Sequence, residues 1–292
     1  MPLVSFEFFP PATSAGHQAL ASTAHRLAPF QPRFASVTYG AGGTTQDRTL
    51  DALRALSQHV DHPLAGHITT VGQTADAVHR VIDAYAELGV RHLVALRGDP
   101  PRGESASEPA ATSGPSAPRY HTAVELVEGI RQRPDGHTFD ISVSAYPEVH
   151  PKATSADADL ENLKRKLDAG ADRAISQFFF DPEVFLRFRD RAAAAGVDKP
   201  LVAGIMPVLR FSRVQGFADQ CGATVPPELA DAFTQSEGDA EVHQLVAATV
   251  ANEQVSRLWS EGVEEFHFYT MNRAPLTAAL CHRLSIIPTP NL

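Results

Sequence analysis

Cysteine is scarce in this chain: only Cys221 and Cys281 occur among 292 residues. They lie far apart, so no Cys-x-x-Cys pair is available for a zinc ribbon and a disulfide framework is not indicated. Long hydrophobic runs are missing too. None approaches the roughly 18 apolar residues that a membrane-spanning helix needs. Positive charge is in deficit, with 25 Lys and Arg against 34 Asp and Glu and a net charge of -9. That balance disfavours a general nucleic-acid or anionic-membrane surface. There is no HExxH helix, no Cys/His cluster and no paired acidic motif, so metal catalysis is not indicated. No serine stands in a nucleophile elbow. The first residues enter an apolar strand with no basic leader, so no signal peptide is expected and a cytoplasmic location is.

What is present is ordinary soluble-protein material: 43% hydrophobic and 20% charged residues, enough for a sizeable core. Eight short β-rich runs recur: VSFEFF (4–9), RFASVTYG (33–40), PLAGHITTV (63–71), HLVALRG (92–98), FDISVSAY (139–146), DRAISQFFF (172–180), PLVAGIMPV (200–208) and EEFHFYT (264–270). Stretches with helical spacing lie between them, such as Leu50, Leu53 and Leu56, or Leu160, Leu163 and Leu167. Strands alternating with helices imply parallel pairing and right-handed crossovers. Eight such units predict an α/β fold, a (β/α)8 TIM barrel spanning 1–292 as a single domain. An open doubly wound sheet is the rival, but GAGGTT at 40–45 lacks the GxGxxG spacing expected there. Residues 100–119, rich in Pro, Gly, Ser and Ala, read as a mobile surface loop. Residues 225–261 read as extra helices before the last strand.

SFEFFPP, at 5–11, sets a glutamate inside a strand-like run. Alternation places Glu7 on one face with Ser5 and Phe9, and Phe6 and Phe8 on the other. More polar residues fall at the C-terminal ends of the other strands: Thr38 and Tyr39, His67 and Thr69, Arg97 to Asp99, Tyr146, Glu148 and His150, Gln177, then Tyr269, Asn272 and Arg273. Each alone has a bland explanation. His67 reads as a core histidine, and Glu7 could simply pair with a buried arginine. Together they converge on the barrel face that carries active sites, as a site for a large polar ligand requires. DLENLKRKLDAG adds Asp159, Asn162 and Lys166 along one helical face, with Arg165 beside it.

These stretches resemble the methylenetetrahydrofolate reductase family. The matching segments are SFEFFPP, ASVTYGAGGTTQDRT, GHITTVG, HLVALRGDPP, FDISVSAYPEVHP, DLENLKRKLDAGADRAISQFFFD and FHFYTMNRA, in order from residue 5 to 274. The resemblance implies a barrel that binds FAD and reduces 5,10-methylenetetrahydrofolate to 5-methyltetrahydrofolate, with NADH or NADPH as donor, in a ping-pong cycle. By position it implies that Glu7 is the general acid and that Asp99 also serves the chemistry, near the folate pterin. Thr38, Tyr39, Ala41, His67, Arg97, Gly98, Asp99, Tyr146, His150, Ala153, Asp159, Asn162, Arg165 and Lys166 match cofactor positions. Gln177, Phe217, Tyr269 and Arg273 match substrate positions. A homo-oligomer is expected, with small molecules as its other partners. Arg213 stands where the family often has glutamine, so no folate contact is assigned to it.

The chemistry sets a further expectation. The substrate's bridging carbon accepts hydride once N10 is protonated and the ring opens, so an acid is needed near neutral pH. A glutamate among phenylalanines is expected to have a raised pKa that keeps it protonated. Another FAD-dependent barrel oxidoreductase of the proline-dehydrogenase type and a non-catalytic folate-binding barrel are the alternatives.

Overall fold

A computed structural model describes residues 1–39, 46–98 and 118–289. Eight parallel strands close in sequence order into a barrel. They are β1 (Leu3–Phe8), β2 (Ala35–Val37), β3 (Leu64–Thr69), β4 (His92–Leu96), β5 (Asp140–Ala145), β6 (Arg173–Ser176), β7 (Leu201–Ile205) and β8 (Glu265–Tyr269). Each lies within one of the eight runs read from the sequence, or one residue outside it. The intervening helices are α1 (Ser14–Leu27), α2 (Gln46–Leu56), α3 (Ala75–Glu87), α4 (Ala123–Arg131), α5 (Ala156–Asp168), α6 (Pro182–Ala194) and α7 (Phe211–Cys221). Two further helices, α8 (Pro227–Ser236) and α9 (Ala240–Ser260), precede β8, and α10 (Ala274–Arg283) follows it. The extra helices expected at 225–261 are therefore present.

Local chemistry explains several helix starts. Thr13, Thr74, Thr122, Ser155, Asp181 and Asp239 each accept a backbone N–H at the first turn of α1, α3, α4, α5, α6 and α9. Such a cap contributes about 1 kcal/mol. For α5 the cap lies in the TSADADL segment, and Gly170 follows the helix with φ of 117°.

The strands separate two environments by alternation. Phe6 and Phe8 join the outer core with Leu20, Ala24 and Leu27 of α1 and Leu280 of α10. Inside the barrel, Phe34, Ala65, Val94, Ile175 and Val202 form an apolar layer. Phe179 packs in the outer core, whereas Phe178 and Phe180 pack with Phe211 and Phe233 beneath α7 and α8. All three phenylalanines at 178–180 are thus core.

The barrel floor is ionic. Arg173 is 2% exposed. It grips Asp140 with both terminal nitrogens, its Nη2 at 2.6 Å from Oδ2, and donates to Ser142 Oγ at 3.1 Å. Its guanidinium also covers the Phe34 ring at 5.8 Å. His92 reaches the same carboxylate at 3.6 Å, and Arg33 pairs with Glu265 nearby at 3.2 Å. These pairs lie at the N-terminal ends of the strands, the end that serves stability rather than chemistry.

Candidate active site

The opposite end of the barrel is its polar mouth. Glu7 sits in register between Ser36 of β2 and Tyr269 of β8. Its side chain points inward and the residue is 8% exposed. Two imidazoles flank it. His67 Nε2 lies 3.3 Å from Glu7 Oε2, and His267 Nε2 lies 3.6 Å from the same oxygen. Neither nitrogen makes a well-aligned hydrogen bond among the described residues. Ser5 Oγ stands 2.7 Å from Nδ1 of His267. A hydroxyl that donates to Nδ1 leaves the proton of a neutral ring on Nε2, facing the carboxylate.

This arrangement corrects the expectation of a raised carboxyl. Burial does push the Glu7 pKa up, but attraction to His267 and His67 outweighs it and holds the group down at about 2. The phenylalanines on either side of Glu7 in sequence face the helices instead, and histidines from β3 and β8 are its real neighbours. Glu7 in the chain by itself is therefore an anion at neutral pH.

Other expected site residues surround this centre. Thr38 and Tyr39 follow β2; Tyr39 is buried, with its hydroxyl 3.4 Å from Gln73 Oε1, and burial raises its pKa to about 12. After β4, the carbonyl of Arg97 accepts from Thr70 and Val71 at 3.1 and 3.0 Å. Gly98 has φ of 80°, and a Cβ there would stand 2.9 Å from that of Thr69. The position thus needs glycine twice over, for its backbone angle and for its clearance. Thr69 Oγ1 is buried without a hydrogen-bond partner among the described residues. Ala41, Asp99 and nearly all of the 100–119 loop lie outside the described residues.

The loop after β5 brings the next group together. The Tyr146 and His150 rings meet edge-on with centroids 4.5 Å apart. The N–H of His150 donates to Asp159 Oδ2 at 2.9 Å, and the N–H of Ala153 donates to the carbonyl of His150 at 2.8 Å. Tyr146, Asp159 and Lys166 line one cleft between β5, α5 and α6. Lys166 is 5% exposed. Its Nζ donates to the carbonyl of Ser144, and burial lowers its pKa to about 8 against the attraction of Asp159. Arg165 is exposed on the same helix, 3.4 Å from Asn162 Oδ1.

On the far side, Tyr269 crosses β7 to donate to the carbonyl of Ser176 at 2.8 Å. Gly204 makes that crossing possible, because a Cβ there would meet the Ser176 carbonyl at 2.1 Å. Gln177 is half-buried, and its Oε1 accepts from the N–H of Phe178 at 3.0 Å. Phe217 on α7 is 36% exposed. Arg273 is exposed at the start of α10. His267 and Ser5 were not chosen as site residues from the sequence. The alternation in EEFHFYT, which puts His267 on the face of Tyr269, was the available signal.

A closed parallel barrel with an acid–imidazole cluster at its C-terminal mouth has the layout of a TIM-barrel enzyme. A family model described as methylenetetrahydrofolate reductase matches residues 1–285. The chain is 45% identical over 285 residues to the 5,10-methylenetetrahydrofolate reductase of Escherichia coli (strain K12), covering 98% of this chain and 91% of that protein. It is 31% identical over 277 residues to methylenetetrahydrofolate reductase (NADH) 1 of Arabidopsis thaliana, covering 92% of this chain and 46% of the plant protein. This chain belongs to the methylenetetrahydrofolate reductase family and is an oxidoreductase. Among solved structures, a Clostridium thermocellum protein described as binding two copies of 5-methyl-5,6,7,8-tetrahydrofolic acid has the same fold, with a TM-score of 0.65 at 12% identity over 98% of this chain and 95% of that one.

Proposed function

We propose that this chain reduces 5,10-methylenetetrahydrofolate to 5-methyltetrahydrofolate, with FAD as hydride carrier, NADH or NADPH as donor and Glu7 as the proton donor. The observation that carries the reading is the placement of Glu7 between His67 and His267 at the mouth of a barrel of this family.

The described residues fit a large polar cofactor. The buried Oγ1 of Thr69 has no hydrogen-bond partner among the described residues. Lys166 places a buried cation beneath the cleft that Tyr146 and Asp159 line. Thr38, Tyr39, Ala41, His67, Arg97, Gly98 and Asp99 would hold one part of FAD, and Tyr146, His150, Ala153, Asp159, Asn162, Arg165 and Lys166 the other. When bound there, FAD would supply hydride-transfer chemistry between NAD(P)H and the folate.

The chain supplies the proton. Protonation of the folate N10 opens the five-membered ring and leaves a cationic iminium at N5 that accepts hydride. Because Glu7 is ionised in the open mouth, the proton it delivers is taken up from solvent as the folate binds. Ligands that close the mouth remove water from Glu7, and this strengthens the burial that favours its neutral form. Glu7 then hands the proton to N10, directly or through a water, and the imidazoles stabilise the carboxylate left behind. Asp99 is assigned to the pterin, where its charge stabilises the iminium. Gln177, Phe217, Tyr269 and Arg273 orient the folate and the nicotinamide.

The test is the visible spectrum of the purified protein. A flavin spectrum that NADH or NADPH bleaches and methylenetetrahydrofolate restores is the expected result. A colourless protein, or a reduced flavin that the folate never reoxidises, contradicts the reading.

A further inference from the structure

The backbone just beyond β8 is unusual. Met271 and Asn272 both take left-handed φ angles, 52° and 54°. Residues with a Cβ avoid that region, and two in succession need a compensating interaction. The compensation is visible. Oδ1 of Asn272 accepts from the N–H of Phe9 at 2.9 Å, and Nδ2 donates to the carbonyl of Phe9 at 2.9 Å. The side-chain amide thus takes the place of a neighbouring strand where the β1–β8 ladder has ended at Glu7 and Tyr269.

The peptides leading to Phe9 are held as well. The N–H and Oγ1 of Thr270 both donate to the carbonyl of Glu7, at 3.2 and 2.7 Å. The N–H of Thr38 donates to the carbonyl of Phe8 at 3.0 Å. The N–H of Asn272 donates to Thr270 Oγ1 at 3.2 Å, and Thr23 of α1 anchors the carbonyl of Asn272 at 3.0 Å. Thr270 and Asn272 thus carry the hold of β8 on this segment past the last ladder pair, Glu7 with Tyr269, as far as Phe9.

We propose that Asn272 is a positioning residue for Glu7. Its amide, presented by the left-handed turn, clamps the Phe9 peptide. The clamp fixes the backbone from which the Glu7 carboxylate reaches between His67 and His267. This rests on the reading of Glu7 as the proton donor, so the clamp governs the folate half-reaction and leaves hydride transfer from NAD(P)H alone.

Two variants separate the clamp from the turn. Asn272→Ala removes the amide and keeps the unfavourable φ. Asn272→Gly removes the amide and relieves the backbone. In the cofactor-free chain, both are expected to speed hydrogen exchange of the Phe9 amide by about tenfold or more. In the flavin-loaded enzyme, both are expected to slow reoxidation by methylenetetrahydrofolate by roughly tenfold or more, with reduction by NAD(P)H within about twofold of wild type. A wild-type folate rate in Asn272→Gly would show that the turn alone matters and overturn the proposal. So would an equal loss in both half-reactions, or unchanged exchange at Phe9. If wild-type enzyme is reduced by NAD(P)H but never reoxidised by the folate, the reading beneath the proposal fails first, before any variant is made.

Discussion

Replacing His67 and His267 together with leucine should turn Glu7 from an unusually strong acid into an unusually weak one. Burial and the two imidazoles oppose each other at this carboxyl, and the imidazoles prevail, lowering its pKa from 4.5 to about 2. That difference corresponds to roughly 3 kcal/mol of preference for the anion, at ~1.4 kcal/mol per pKa unit. With the rings gone, burial alone remains and the pKa should rise above 4.5, its ordinary value. The assay is a carbon-13 carboxyl titration of the cofactor-free chain labelled at glutamate, with Glu7→Gln identifying the resonance. Stability should follow with opposite signs. In the wild type a depressed carboxyl adds stability above pH 4.5, and that contribution is lost as pH falls toward about 2. In the double variant a raised carboxyl costs stability as pH climbs past 4.5. A Glu7 resonance that still titrates at or below 4.5 without the imidazoles would refute the reasoning.

Two other changes have defined outcomes. Arg173→Met leaves Asp140 at the barrel floor without its bidentate partner; urea unfolding at neutral pH should show a loss of roughly 3–5 kcal/mol, and a loss under about 1 kcal/mol would mean the floor pair is dispensable. Lys166→Met should stabilise the cofactor-free chain, because burial lowers the ammonium from 10.5 to about 8 and the folded state therefore disfavours the charge at every pH below 10.5. The same variant should retain at least about tenfold less FAD on purification, the loss of a buried cation's pairing; unchanged FAD content would remove Lys166 from the cofactor site.

The barrel was legible because its strands are buried on both faces and read as short β-rich runs between helical stretches. The inward direction of Glu7 followed from alternation alone. Its ionisation did not, because the groups that set it come from β3 and β8, far away in sequence. Alternation puts Phe6 and Phe8 on the opposite face from Glu7, so they are not its environment. A strand neighbour in sequence is not a neighbour in space, and that is where the expected pKa went wrong. The floor was missed for a related reason. Arg173 and Asp140 look like ordinary charged residues at strand starts, and only closure of the barrel shows that they plug its end. His267 could have been found from the alternation in EEFHFYT. The amide clamp of Asn272 could not, since it depends on two left-handed residues that no local motif announces.

The central claim is that Glu7 delivers the proton and takes no part in accepting hydride from the nicotinamide. Rapid-mixing measurement of both half-reactions in Glu7→Gln, with the flavin-loaded protein, tests it most directly. The account predicts near-normal reduction by NADH or NADPH and no measurable reoxidation by methylenetetrahydrofolate. Reoxidation by the folate at the wild-type rate, or the same fractional loss in both half-reactions, would contradict it.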